Sequence, residues 1–139
     1  MGGFLVDTNV LSELRKGDRC NPKVRAWMTA QEDGDLFISV LALAEIRDGI
    51  EGLRPRDPRQ AARLERWLRE TEAHYGERVL PVTARVADRW GRLWHAQEIA
   101  DFDRLIAATA AEHGLEIASR NVRDFERSGV GVVNPWEAD

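Results

Sequence analysis

The chain has 139 residues, of which 43% are hydrophobic and 32% are charged, a balance typical of one globular domain, here residues 1–139, and not of a disordered protein. The formal net charge of −4 argues against a general nucleic-acid coat protein, but it leaves room for an enzyme whose positive charges are bound metal ions and local arginines. The lone Cys20 cannot form an internal disulfide, which predicts a reducing, cytoplasmic setting. No stretch approaches the ~18 apolar residues of a membrane span, so no membrane association is expected.

The first predicted element is a short buried strand over Phe4–Val6, which is followed directly by Asp7. Ligands of open parallel sheets bind just outside the carboxyl ends of the strands, and an unpaired charge buried there is costly. We therefore interpret Asp7 as the first ligand of a metal site. The alternative is that Asp7 only caps the next helix, for which Thr8 or Asn9 is the predicted N-cap.

A second short helix is predicted to end near residues 33–34, and a strand is predicted over Leu36–Ser39. The helix that follows, from about Leu41 to Leu53, has an apolar stripe at helical spacing, formed by Leu43, Ile46, Ile50 and Leu53. Glu45 is adjacent to this stripe, so we expect it at the border of the core near the strand ends. The alternative is an ordinary solvated glutamate.

The second half of the chain continues the same alternation of strands and helices. Thr83 is predicted to cap a helix that ends near Gln97, and a helix of small residues is predicted to begin near Asp101, its possible cap, with Asp103 in the first turn. The remaining predicted elements are a helix over 59–73 and strands over 79–82, 115–119 and 130–133. This alternation is typical of an α/β fold with a parallel sheet.

Three carboxylates fall at comparable places, since Asp7 ends a strand, Glu45 lies on a helix edge and Asp103 opens a helix. Asn121 and Asp124 follow another strand. Two carboxylates ~4 Å apart repel by about 4 kcal/mol at an effective dielectric constant of about 20, so a converging set requires a cation. All-oxygen ligands favour Mg²⁺ or Mn²⁺ over zinc. The sequence therefore predicts a site for a hard divalent ion.

A divalent ion held by carboxylates activates water and stabilises charge on a phosphoryl oxygen, which predicts phosphodiester hydrolysis. A serine hydrolase triad has no support from sequence spacing, although such triads are assembled in space. A phosphatase with Asp7 as nucleophile is a further alternative, but the second carboxylate that such enzymes carry two residues later is replaced here by Asn9.

Several segments resemble, in order and with conforming spacing, the PIN-domain ribonucleases, especially the VapC/FitB-like toxins of bacterial toxin–antitoxin pairs. These segments are Leu5–Glu13, Ser39–Ile50, Asp103–Ala110, Ser119–Asn121, Asp124–Phe125 and Asn134–Trp136. The resemblance implies a PIN-like three-layer α/β/α sandwich with a central parallel sheet of four to five strands. It also implies a metal-dependent endoribonuclease.

The resemblance also implies roles for individual residues and partners. Asp7, Glu45 and Asp103 are implied as the metal-binding catalytic acids, with Asn121 and Asp124 assisting catalysis. Thr8 and Ser119 are implied as supporting residues, with the Thr8 hydroxyl orienting Asp7 or a metal-bound water. The implied cofactor is Mg²⁺ or Mn²⁺. The implied partners are an RNA substrate, a second copy in a homodimer, and a VapB-like antitoxin that inserts a peptide near the site. DNA is implied as an indirect partner, bound only through the antitoxin.

Some points stay open from the sequence. Some relatives carry an aspartate where this chain has Asn121, so either Asn121 or Asp124 fills the fourth position; alternatively, Asp124 forms a loop salt bridge with Arg120 or Arg123. The six arginines between residues 54 and 69 form either a solvated face or a contact for RNA or antitoxin. A non-catalytic module of the same fold, which acts through its dimer and antitoxin in autoregulated DNA binding, is the alternative function.

Overall fold

The structure is a computed structural model that describes residues 2–96 and 101–138, without the side chains of residues 94–96. The strands are β1 (Phe4–Val6), β2 (Leu36–Ser39), β3 (Val79–Leu80), β4 (Glu116–Ala118) and β5 (Val132–Val133). The helices are α1 (Thr8–Leu14), α2 (Pro22–Thr29), α3 (Val40–Leu53), α4 (Pro58–Tyr75), α5 (Ala84–Ala96), α6 (Asp101–Glu112) and α7 (Val122–Glu126).

The five strands form one parallel sheet in the order β3-β2-β1-β4-β5. Leu5 in the central strand lies opposite Phe37 of β2 and Ile117 of β4. The chain builds the sheet outward from β1 on one side with β2 and β3, and then on the other side with β4 and β5. The order therefore reverses between β1 and β4, which is where open α/β sheets bind ligands, outside the carboxyl ends of the strands.

Neighbouring residues of the strands pack into two different cores, because successive side chains of a strand point to opposite faces of the sheet. Val6 and Ile38 belong to a core that includes residues of α1 to α4. Leu5 and Ile117 belong to a second core, which includes residues of α6 and α7. Helices thus cover both faces, and the predicted three-layer α/β/α sandwich is confirmed.

Several predicted boundaries differ from the structure for local reasons. β3 ends at Leu80 because Pro81 has no N–H to donate to a sheet. α2 already ends at Thr29, and a 3₁₀ turn follows over Asp33–Asp35. The five-residue helix α7 was not predicted, since it is too short to show a helical period. Thr83 does cap α5, because its Oγ1 accepts from the Val86 amide at 3.2 Å.

Two further helix predictions concern the segment between α5 and α6. The predicted end of α5 near Gln97 lies outside the described residues. The suggested cap Asp101 is instead the first residue of α6, and its carboxylate accepts from Arg104 at 2.9 Å. The prediction of a helix with Asp103 in its first turn is confirmed.

The longest helix, α4, has 18 residues and carries most of the arginine-rich segment. Glu65 accepts from Arg54 at 2.6 Å and from Arg47 of α3 at 3.0 Å, so ion pairs join the two helices. Arg59 and Arg66 are exposed, as expected for a solvated face. In the described part of the chain no helix is long and apolar enough to cross a membrane.

Gly3 is the position at which the packing of the sheet depends most visibly on a missing side chain. A Cβ atom there would lie 2.6 Å from the backbone oxygen of Asp35 and 3.2 Å from the Leu115 side chain. We expect Gly3→Ala to lower the free energy of unfolding by about 1–3 kcal/mol, as overpacking does, in urea denaturation. Gly2→Ala is the matched control, because nothing lies within 4 Å of its Cβ position. Equal stability of the two variants would contradict this packing.

Candidate active site

Asp7 is fixed at the carboxyl end of the central strand by backbone and side-chain bonds. Its amide donates to the Ala118 carbonyl at 2.9 Å, which continues the pairing of β1 with β4. Its Oδ1 accepts from the Thr8 amide at 2.9 Å and its Oδ2 from the Ser119 hydroxyl at 2.7 Å. Asp7 is therefore the N-cap of α1, and the prediction that Thr8 or Asn9 caps this helix was wrong.

Ser119 joins the ends of β1 and β4 around this carboxylate. Its buried Oγ accepts from the side chain of Asn9 at 3.2 Å and from the amide of Asn121 at 2.9 Å. Because two N–H groups point at the oxygen, the single hydroxyl proton is available for Asp7. Ser119 thus orients Asp7, as its predicted role requires.

Glu45 reaches the same region from the second turn of α3, which starts where β2 ends. It is exposed and does not lie at the border of the core as predicted. Its Oε1 nevertheless accepts from the Thr8 hydroxyl at 2.6 Å. The prediction that the Thr8 hydroxyl orients Asp7 was wrong, since this hydroxyl holds Glu45 and the Thr8 amide holds Asp7. Its alternative role, the orientation of a metal-bound water, stays a prediction.

Asp103 enters from the first turn of α6, and Asn121 joins it to the end of β4. The Asn121 side-chain amide donates to Asp103 Oδ2 at 3.0 Å. Asn121 therefore acts here through its N–H group and leaves its amide oxygen for other partners. Asp124, one turn further along, influences Asp103 through its charge. Its predicted alternative was a salt bridge to Arg120 or Arg123, and neither pair is found among the described residues. The Arg120 guanidinium lies over the Trp136 ring instead.

Burial and the neighbouring carboxylates raise the affinity of Asp103 for a proton. Burial raises the pKa of Asp103 to about 6, with further increases from the negative charges of Asp7, Asp124 and Glu45. The pKa of Asp7 is also raised, because burial outweighs the hydrogen bond from Ser119. Asp103 thus lies in a negative field to which Asp7, Asp124 and Glu45 contribute.

Asp7, Glu45 and Asp103 line one cleft of about 500 Å³ at the carboxyl edge of the sheet. Its acidic lining consists of Asp7, Glu13, Glu45 and Asp103. The remaining lining is basic, polar or aromatic and comprises Arg15, Lys16, Arg120, Thr8, Asn9, Ser12, Asn121 and Trp136. An acidic floor next to basic side chains suits a ligand that carries negative charge and binds together with a metal ion.

Sequence reasoning missed that the end of α1 and the residues just after it line this cleft. Glu13 is buried, and it accepts from Lys16 Nζ at 2.9 Å and from the Asn21 amide at 2.8 Å. The hydrogen bond from Lys16, followed by that from Asn21, lowers the pKa of Glu13. The i,i+3 spacing of Glu13 and Lys16 could have predicted that the two side chains form an ion pair. It could not have predicted that they line the cleft.

The comparison with protein families decides the identity of this fold. The sequence matches the PIN domain over residues 4–130. The chain belongs to the PIN-domain family. The five-stranded parallel sheet agrees with the PIN-like sandwich that the sequence motifs implied.

Curated relatives cover almost the whole PIN chain. VapC ribonuclease Y4jK of Sinorhizobium fredii is 33% identical, covering 96% of this chain and 98% of its own. Toxin FitB of Neisseria gonorrhoeae is also 33% identical, with the same coverage. The crystal structure of FitAcB from Neisseria gonorrhoeae superposes with a TM-score of 0.87 at 32% identity, covering 97% of this chain and 99% of that chain.

The donor set of this PIN site fits a hard divalent ion. The acids present only oxygen ligands, which Mg²⁺ and Mn²⁺ prefer, and the raised pKa of Asp103 reports a negative field that a cation would relieve. In the described residues, however, no three His, Cys, Asp or Glu side chains are already close enough to enclose an ion. Binding would therefore require the carboxylates to turn inward from their present hydrogen bonds.

The elevated pKa of Asp103 predicts how stability depends on pH without metal. Because protonation of Asp103 is easier in the folded chain, its contribution to stability is complete below the ordinary pKa of 3.8 and is lost as the pH rises through about 6. We therefore expect the melting temperature of the metal-free protein to fall over this interval relative to that of Asp103→Asn. Asp103→Asn should flatten that part of the profile in thermal melts with EDTA. An unchanged profile in the variant would contradict the assignment.

Proposed function

We propose that this chain is a metal-dependent endoribonuclease, the toxin of a toxin–antitoxin pair. Two kinds of observation support the proposal. Relatives named VapC ribonuclease and Toxin FitB are 33% identical over nearly their full length. The acidic residues at the carboxyl edge of the sheet also line one cleft, which is the arrangement that hydrolysis of a phosphodiester with divalent ions needs.

Each acidic residue has a part in this proposal. Asp7, Glu45 and Asp103 hold Mg²⁺ or Mn²⁺, which when bound activates water and stabilises the charge on the scissile phosphate. Asn121 fixes Asp103 through its hydrogen bond and is the residue that fills the fourth position. Asp124 assists through its charge, because it acts on Asp103 without lining the cleft.

The remaining polar groups act as positioning residues. Ser119 donates to Asp7, and Thr8 donates to Glu45. The Thr8 hydroxyl holds one oxygen of Glu45. Both oxygens of Asp7 already accept one hydrogen bond each, Oδ1 from the Thr8 amide and Oδ2 from Ser119, and each keeps a second lone pair for a cation. Such supporting contacts typically change metal affinity or activity by about 10–100-fold when they are removed.

The proposal extends to partners by analogy with the relatives. Solved neighbours include FitAB bound to an IR36 DNA fragment, at 30% identity and a TM-score of 0.87. We propose that this chain pairs with a VapB-like antitoxin, forms a homodimer and meets DNA only through the antitoxin. The proposed location of the protein is the cytoplasm. The free, buried thiol of Cys20 is compatible with this reducing compartment.

The single observation that carries the proposal is that Asp7, Glu45 and Asp103, which are far apart in the sequence, line one cleft at the carboxyl edge of the sheet. In the decisive experiment, the purified chain is incubated with single-stranded RNA in the presence and in the absence of Mg²⁺. A third reaction contains Mg²⁺ and the purified antitoxin as inhibitor. We expect cleavage that requires Mg²⁺ and that stops when antitoxin is added. An RNA left intact under all conditions would favour the non-catalytic partner-binding module instead.

A further inference from the structure

One pair of cleft residues has no part in holding the acids. The guanidinium carbon of Arg120 lies 4.5 Å from the centroid of the Trp136 ring, and both residues line the cleft that contains Asp7 and Asp103. We propose that this stacked pair binds an unpaired nucleobase beside the phosphodiester to be cleaved. The inference rests on the proposed ribonuclease function and specifies its substrate as single-stranded RNA.

The indole is held in place by the turn at the end of the chain. The Trp136 amide donates to Asn134 Oδ1 at 2.9 Å, and the Glu137 amide donates to the Asn134 carbonyl at 3.0 Å. Pro135 between them is fully buried, and the Trp136 side chain packs against the core. A platform that is fixed before binding costs little entropy when a ligand stacks on it.

The guanidinium is fixed at its backbone and exposed at its side chain. The Arg120 amide donates to Asn9 Oδ1 at 3.3 Å, which anchors the residue at the end of β4, and the residue itself is exposed. Its positive charge lowers the pKa of Glu13, but the Glu13 oxygens already accept from Lys16 and Asn21. Arg120 therefore stacks on Trp136 instead of pairing with this acid.

A stacked guanidinium offers a ligand more than a charge. The guanidinium lies over the ring on one side. Because Arg120 is exposed, the planar, weakly hydrated group can offer its other side to an unpaired RNA base. Lysine at the same place would keep the charge for a phosphate but would lose the flat surface. The difference between arginine and lysine therefore separates base stacking from phosphate attraction.

The test measures binding of two single-stranded oligoribonucleotides of equal length and charge, one with bases and one abasic at all internal positions. Fluorescence anisotropy is recorded in an Asp7→Asn background, so that the RNA stays intact. We expect the form with bases to bind about tenfold more tightly than the abasic form, as stacking of one base allows. Arg120→Lys should reduce this ratio to near one, and Trp136→Phe should reduce it partly.

Arg123→Lys is the matched control, since Arg123 is exposed and lies three residues further along the chain; it should keep the tenfold ratio. If Arg120→Lys weakens both oligomers equally, the residue is a phosphate contact and the inference is overturned. If Arg120→Lys and Trp136→Phe leave the ratio unchanged, the pair is a packing contact only, and the inference is likewise overturned.

A cleavage assay on the unsubstituted protein keeps the two proposals apart. A protein that cuts RNA but shows no preference for bases contradicts the stacking site alone. A protein that prefers bases but does not cut RNA contradicts the ribonuclease proposal alone. A protein that neither binds nor cuts RNA contradicts both.

Discussion

Replacing Asp7 with asparagine is expected to lower kcat/KM for RNA cleavage by on the order of 10³-fold or more, since a metal-binding acid in a cooperating set is lost. Folding should survive the change. Asparagine is as good an N-cap as aspartate, so the bond from the Thr8 amide can be retained. Burial raises the pKa of Asp7, which means that the charge is a cost in the metal-free protein, and we expect an equal or higher melting temperature for Asp7→Asn in EDTA.

The measurement is an initial-rate assay with fluorescent RNA, accompanied by thermal melts. Asp48→Asn serves as the matched control because Asp48 is exposed on α3, the helix that also carries Glu45, and does not line the cleft. It should cut RNA at the unsubstituted rate. An Asp7→Asn protein that is folded and fully active would show that Asp7 only caps α1.

Removal of divalent ions is expected to have an effect of similar size. Electrostatic stabilisation by a bound metal amounts to several kcal/mol of the barrier, which is a factor of about 10³ or more. EDTA should therefore reduce cleavage to background, and excess Mg²⁺ or Mn²⁺ should restore it. The same ions should raise the melting temperature, because a ligand at about 100 times its Kd stabilises the folded state by about 2.7 kcal/mol.

The melting experiment carries its own control for non-specific salt effects. NaCl at equal ionic strength screens the repulsion among the carboxylates, but it provides no divalent ligand for them. It should restore no activity and should give a smaller increase in melting temperature. Cleavage that persists in EDTA would contradict a metal-dependent mechanism directly.

Much of the fold was predictable because its signals are local. The strand over Phe4–Val6 and the helix that ends at Leu53 follow from apolar periodicity, and both are confirmed. The helix α7 was missed because five residues do not complete two turns. The end of β3 was missed because the prediction ran the strand on to residue 82, through Pro81.

The candidate site was predictable as a list of residues but not as a network. The end of a strand led to Asp7 and the start of a helix led to Asp103, and the structure brings both to one cleft. Which hydroxyl serves which acid was not readable, since Ser119 lies 112 positions from Asp7 and Thr8 lies 37 positions from Glu45. The pairing of Arg120 with Trp136 also joins distant positions. Such contacts depend on the order of strands in the sheet, which periodicity does not encode.

Calorimetric titration of Mn²⁺ into the metal-free protein tests the central claim most directly, because it reports the ion site without any RNA. The titration is run above pH 7, where Asp103, with its pKa of about 6, is ionised. We predict binding to the unsubstituted protein and to Asp48→Asn, with affinity at least about tenfold weaker in Asp103→Asn. Equal binding by all three proteins, or binding by none, would contradict a metal site built from these acids.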